Sequence, residues 1–234
     1  MNKIDHLGNA IGKVTNTPLS ALEVSKALSQ GNCLPHHPTV MARKAEMNAA
    51  GGYRKIFEGA EDLDLWYRMS KRTKLVGLRD VLLDYRMHEG QVTQKHLVRQ
   101  RFSQDLIILI AKEIEVGRDD PSLSWSAAPD FHWDKQSPEL SNAPSDMVML
   151  FRYYSLINQI LNEKKISSLK AADLNFLLDV MSKQRFFGSA KSRQNLAHNL
   201  IQEAKARKLK GLKWKALLFA LKLNPLRALL GLDQ

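Results

Sequence analysis

One cysteine, Cys33, stands among 234 residues, which excludes an internal disulfide and fits a reducing compartment. The lone thiol reads as a buried side chain rather than a nucleophile. Aromatic residues make up only 7% of the chain. Nowhere is there an uninterrupted apolar run of about eighteen residues, the length that a membrane-spanning helix needs. The opening MNKIDHLGNAIGK has no apolar core of the signal-peptide kind, so the expectation is a protein that is neither secreted nor membrane-spanning. Acidic side chains are also in deficit, 24 against 35 Lys and Arg, for a formal charge of +11. Much of that excess lies between Lys205 and Gln234, where eight Lys and Arg face one Asp. Such a basic stretch reads as a contact for an anionic surface, lipid or nucleic acid.

What is present is an ordinary globular composition, 44% apolar and 25% charged, enough for one sizeable core with an appendage. The first half mixes strand and helix signals. Leu7-Gly8-Asn9 suggests a hairpin, and Thr17-Pro18 offers an N-cap and a first helical position for a helix that stops at Gly31. Pro38 to Met41 reads as extended, followed by a short helix ending at Gly51-Gly52, which permit a close turn. Ala60 to Arg72 lacks Gly and Pro and carries Leu65, Trp66 and Met69 at helical spacing. Residues 74–78 and 81–87 read as strands, and Thr93 to Glu115 as a longer helix burying Val98, Phe102, Leu106, Leu109 and Ile110. Residues 118–145, rich in Pro, Ser and Asp, read as a linker or irregular loop; helical pattern returns at 146–162, 169–183 and from Arg193 onward. The plan is therefore a mixed α/β half over residues 1–117 and an all-helical half over 146–234.

Asp62-Leu63-Asp64 has the letters of a D-x-D metal motif. On a helix, however, residues two apart are separated by about 200° around the axis, so the two carboxylates cannot chelate one ion. Asp64 is instead placed to pair with Arg68, four residues on and in the favoured acid-before-base order. Trp66 falls on the apolar stripe and reads as a packing residue. His36 and His37 are adjacent and point apart in an extended segment, so neither alone signals a metal. Asp119-Asp120 is the other close aspartate pair, and it falls in the linker.

Taken in order, N-x-x-x-H-H-P-T-V-M-x-R (32–43), GGYR (51–54), AEDLDLWYR (60–68) and LLDYRMHEGQVT (82–93) resemble the C-terminal, acceptor-side half of the GT-A glycosyltransferases of family 2. These are inverting enzymes that move a sugar from a nucleotide sugar, and the resemblance covers roughly residues 1–115. It implies a partial, Rossmann-like α/β fold followed by an all-α extension. It also implies a catalytic base at Asp62, in the pair Glu61-Asp62 that opens a helix beneath the acceptor. An inverting transfer needs one carboxylate to take the acceptor hydroxyl's proton, and the first turn of a helix holds a carboxylate ionised. The resemblance further places His37, Arg43, Arg68, Arg86 and His88 near the substrates, with His88 a candidate for the metal shell or a phosphate. A divalent cation, Mg or Mn, is implied for the complete enzyme, although the family's D-x-D ligands are missing from this chain.

The family's nucleotide-binding half, which would precede these motifs, is also missing. The chain is thus expected to be a fragment inactive alone, or to receive that half from another chain. The implied partners are a nucleotide sugar and a glycan or lipid-linked acceptor. The basic segment 205–230 places Trp214, Leu217, Leu218 and Leu221 on one helical face and Lys208, Lys215 and Lys222 on another. It would suit a cytoplasmic protein lying on the inner face of the cell membrane, or else a terminal helix docked on the helical half. The rival reading is a non-catalytic transferase remnant serving as a membrane- or partner-binding helical module. Nucleic acid is not expected, because the first half has no helix-turn-helix, zinc or RNP-like pattern.

Overall fold

The computed structural model describes residues 1–13, 20–87, 97–131, 138–161 and 169–183. The chain divides into two units, 1–130 with 137–148, and 131–136 with 149–234. The fold is mixed α/β, with one small three-stranded sheet and mostly helices.

In the first unit, β1 (Asn2–Ile4) and β2 (Ala10–Lys13) form the expected antiparallel hairpin, pairing Asn2 with Lys13 and Lys3 with Gly12. Asp5 closes it: its carboxylate accepts from the Leu7 and Asn9 amides at 2.9 and 2.8 Å and from Asn9 Nδ2 at 3.0 Å. This is the local bonding that makes Asp a turn former. β3 (Asp84–Arg86) adds to the other side of β1 in parallel, giving the order β2-β1-β3.

Among its described residues this unit also holds the helices α1 (Ala21–Ser29), α2 (Lys44–Ala49), α3 (Glu61–Ser70) and α4 (Leu97–Glu115). The third packs against the other three. Its Leu63, Leu65, Trp66 and Met69 are at most 1% exposed, so apolar burial, at roughly 25 cal/mol per Å², fixes α3 as the centre of the core. α4 contributes Val98, Phe102, Leu106, Leu109 and Ile110, the face that the sequence marks. At Gly59 (φ +80°) a Cβ would come within 3.3 Å of Gln100 Cα, so glycine lets the turn before α3 lie against α4.

Three expectations change. α1 runs from Ala21 with Ser20 as its N-cap, one turn after Thr17-Pro18, which lie outside the described residues. Ser20 and Glu23 make a reciprocal capping box there, with Ser20 Oγ accepting from the Glu23 amide and Glu23 Oε2 from the Ser20 amide. Ser20→Ala should cost about 1 kcal/mol of stability by urea denaturation; no change would mean that the cap is dispensable. Pro38-Thr39 is not extended: His37–Thr39 forms a 3-10 turn in which Thr39 Oγ1 donates to the His36 carbonyl at 2.7 Å, the local bonding that competes with a strand. Finally, 74–78 forms no strand, and Val76 and Leu78 are more than 60% exposed. Among the described residues no strand lies beside this segment to pair with, and of 81–87 Asp84–Arg86 is strand.

Part of the segment read as linker is built into the first unit. Leu140 is fully buried, and Asp120 caps a 3-10 turn at Pro121–Ser124. The second unit contains most of α5 (Ser145–Leu161) and all of α6 (Ala171–Lys183). Arg152 there pairs with Asp173 at 3.0 Å and lies over the Phe176 ring. Among the described residues no helix is long and apolar enough to cross a membrane. The helix expected from Arg193 and the basic segment 205–230 lie outside the described residues, as does the expected helix start at Thr93.

Candidate functional site

The two carboxylates of Asp62-Leu63-Asp64 have opposite fates. Asp64 is 2% exposed and bound by two guanidinium groups. Arg54 gives it Nη2 and, at 3.0 Å, Nε; Arg68 gives it Nη2 at 2.6 Å and Nε at 3.2 Å. Arg68 is the i,i+4 partner expected from the sequence. It also donates to the carbonyls of Ala50 and Gly52, tying the turn at Gly51 (φ +84°) and Gly52 (φ +65°) to α3. Arg54 reaches the other way, to Asp120 Oδ2 at 2.9 Å and Ser122 Oγ at 3.1 Å, and its charge lies over the Phe57 ring. Burial works against the Arg54 charge, but Asp64 and Asp120 more than offset it and hold the guanidinium above its ordinary pKa.

Asp62 is half-buried on another side of α3. Its Oδ1 accepts the Leu63 amide at 2.8 Å, a backbone bond of the kind that holds an acid in a first helical turn. Ala60, the residue before the helix, has no capping side chain, so Glu61 and Asp62 supply the negative charge that the helix terminus favours. Residues brought by the segment after α1 and by the 51–60 turn surround them. Burial first, then the neighbouring Asp62 and Glu61 carboxylates, push the Cys33 thiol pKa well up. His36 is pushed below the usual imidazole range by burial, by the N-terminal amine and by Lys3, while Asp62 pulls the other way. Tyr53 is pushed up by burial and by Asp62 and Glu61. Glu61 Oε2 is buried and has no hydrogen-bond partner among the described residues.

The Cys33 shift has a direct test. Alkylation at pH 8 should run at least about tenfold slower than for a free cysteine, because only the thiolate reacts. Asp62→Asn removes the neighbouring negative charge, lowers the thiol pKa and should speed the reaction. An unchanged rate in that variant would contradict the influence of Asp62 on Cys33.

His37 is exposed and joins the same neighbourhood through Tyr53, whose Oη lies 3.0 Å from its Nε2. Both rings stand edge-on to Trp66, which is 1% exposed and so packs in the core, as its place on the apolar stripe implies. The other expected residues lie elsewhere. Arg43 is exposed at the start of α2, and Arg86 Nη1 donates to the Asp5 and His6 carbonyls at 2.8 and 2.9 Å, bracing the hairpin. His88 lies outside the described residues. The described residues do not make a donor set for the divalent cation that the resemblance implies: Asp64 is committed to two arginines, and no group of three His, Cys, Asp or Glu could hold a metal among them.

Sequence reasoning gave no role to Arg54, Tyr53 or Cys33. Tyr53 and Arg54 stood in GGYR, but their partners are 16, 10 and 66 residues away, beyond any local period. No protein-family model matches the chain, and no curated protein or solved structure matches it either.

Proposed function

We propose that the chain carries the acceptor side of a glycosyltransferase, a GT-A half of the family 2 kind, with Asp62 as the base of an inverting transfer. The observation that carries this reading is the split within Asp62-Leu63-Asp64. Asp64 is used up inside the fold, whereas Asp62 is held at the open end of α3 by one backbone amide, among polar and aromatic side chains. In the proposed step Asp62 takes the proton of an acceptor hydroxyl. That oxygen bonds to the anomeric carbon, and the bond from that carbon to the nucleoside diphosphate breaks on the opposite face.

Glu61 supports the reading, since a buried carboxylate oxygen without a donor among the described residues is suited to accept a second substrate hydroxyl. Arg54 and Arg68 act here as positioning residues: they lock the turn at 51–54 and the segment at 120–122 onto α3 and so fix where its first turn points. Negative charge that develops on the departing diphosphate needs cationic stabilisation, for which His88 is proposed, while Arg86 braces the hairpin.

The test is nucleoside diphosphate release from UDP-, GDP- and dTDP-sugars with methyl glycosides as acceptors, using the polypeptide as its gene encodes it, together with the chain that supplies the nucleotide-binding half where that half is separate. Acceptor-dependent release is expected with at least one donor. No acceptor-dependent release from the whole panel would contradict a transferase.

A further inference from the structure

We infer that the exposed ring of Tyr53, braced by His37, is the platform on which a pyranose ring of the acceptor lies beside Asp62; this rests on the transferase reading. Tyr53 is 45% exposed, and Asp62 and Glu61 lie near enough to act on its phenol electrostatically. Sugars bind where an apolar ring face meets a few fixed polar groups, because one face of a pyranose presents C–H groups and its rim presents hydroxyls. Tyr53 offers the face; Asp62 and Glu61 offer acceptors for the rim.

The platform is preorganised. Tyr53 Oη bonds His37 Nε2 at 3.0 Å, and the two ring centroids are 5.6 Å apart at 40°. Tyr53 and His37 each meet the buried Trp66 edge-on, with centroids 6.3 and 6.0 Å away at 71° and 79°. The backbone beneath is pinned where Arg68 donates to the Gly52 carbonyl, the residue before Tyr53. A ring fixed by a hydrogen bond, a core tryptophan and an anchored turn loses little freedom when a ligand lies on it. Burial and the adjacent acids keep the phenol neutral, so its hydroxyl remains available to His37. Trp66 thus serves the site from below, as the support of the platform and not as its surface.

The experiment is saturation-transfer NMR on the full chain with methyl β-glucopyranoside, methyl β-galactopyranoside and methyl β-N-acetylglucosaminide, with glycerol as the non-ring control. Wild type and Tyr53→Phe should transfer saturation to the C–H protons of at least one pyranoside and not to glycerol. Tyr53→Ala should lose that signal at least about tenfold, as expected for removal of an aromatic anchor, and His37→Ala should weaken it severalfold. Asp62→Asn should weaken it less than Tyr53→Ala does, because the asparagine oxygen still accepts from the rim while the ring that carries the sugar is intact. No pyranoside signal in wild type, or an undiminished one in a folded Tyr53→Ala variant, would overturn the inference. The transferase reading fails separately: if Asp62→Asn transfers sugar normally while Tyr53→Ala loses the signal, the base assignment falls and the platform stands.

Discussion

Asp64→Ala is expected to lower the free energy of unfolding by about 3–5 kcal/mol, the range for breaking a buried ion pair by removing one partner. The size follows from what is left behind. Arg54 and Arg68 are 18% and 17% exposed, and each loses two donor contacts to the 2%-exposed carboxylate. Arg54 keeps Asp120 as a counter-charge and Ser122 as an acceptor, but Arg68 keeps only the Ala50 and Gly52 carbonyls and is left mostly buried without a counter-charge. Asp64→Asn should lose less, because the amide oxygen still accepts. Urea denaturation monitored by far-ultraviolet circular dichroism measures both. A loss below about 1 kcal/mol for Asp64→Ala, the level of a surface pair, would mean that the network is not the clamp described. The loss should also change little with salt, since buried pairs are poorly screened.

Much of this site is legible in the sequence wherever one helix decides it. The turn of α3 alone separates Asp62 from Asp64, brings Asp64 to Arg68 and sends Trp66 into the core, and each of those placements is found. The hairpin at Asp5–Asn9 and the stops of α1 and α2 at glycine are equally local. What escapes is tertiary or competitive. Arg54 finds Asp120 across 66 residues, and Cys33 finds Asp62 through the packing of α1 on α3; no periodicity announces either. α1 starts at Ala21, where Ser20 and Glu23 cap it with two reciprocal bonds that the Thr17-Pro18 signal did not announce. Thr39 bonds back to His36 and turns an extended-looking run into a 3-10 turn, while 74–78 has strand composition but, among the described residues, no strand beside it. The wider fold follows the same division, for the mixed α/β character is evident from the pattern, whereas a three-stranded sheet with a parallel β1–β3 pair is not.

Asp62→Asn is the second large effect and bears on function. Asparagine keeps the shape and an oxygen for the Leu63 amide, so α3 should stay in place and stability should change little. It cannot accept a proton, and removing a general base costs about 10²- to 10⁴-fold in rate. The same variant carries its own control, because the faster alkylation of Cys33 reports that the side chain at 62 still faces that thiol. Asp64→Asn should do the reverse, losing stability while transfer, measured below its unfolding transition, stays within a fewfold of wild type. The most direct measurement is acceptor-dependent nucleoside diphosphate release by wild type, Asp62→Asn and Asp64→Asn in the polypeptide as its gene encodes it, together with the chain that supplies the nucleotide-binding half where that half is separate. The expected result is loss of at least about a hundredfold for Asp62→Asn alone; wild-type turnover in a folded Asp62→Asn variant would contradict the assignment of Asp62 as the base.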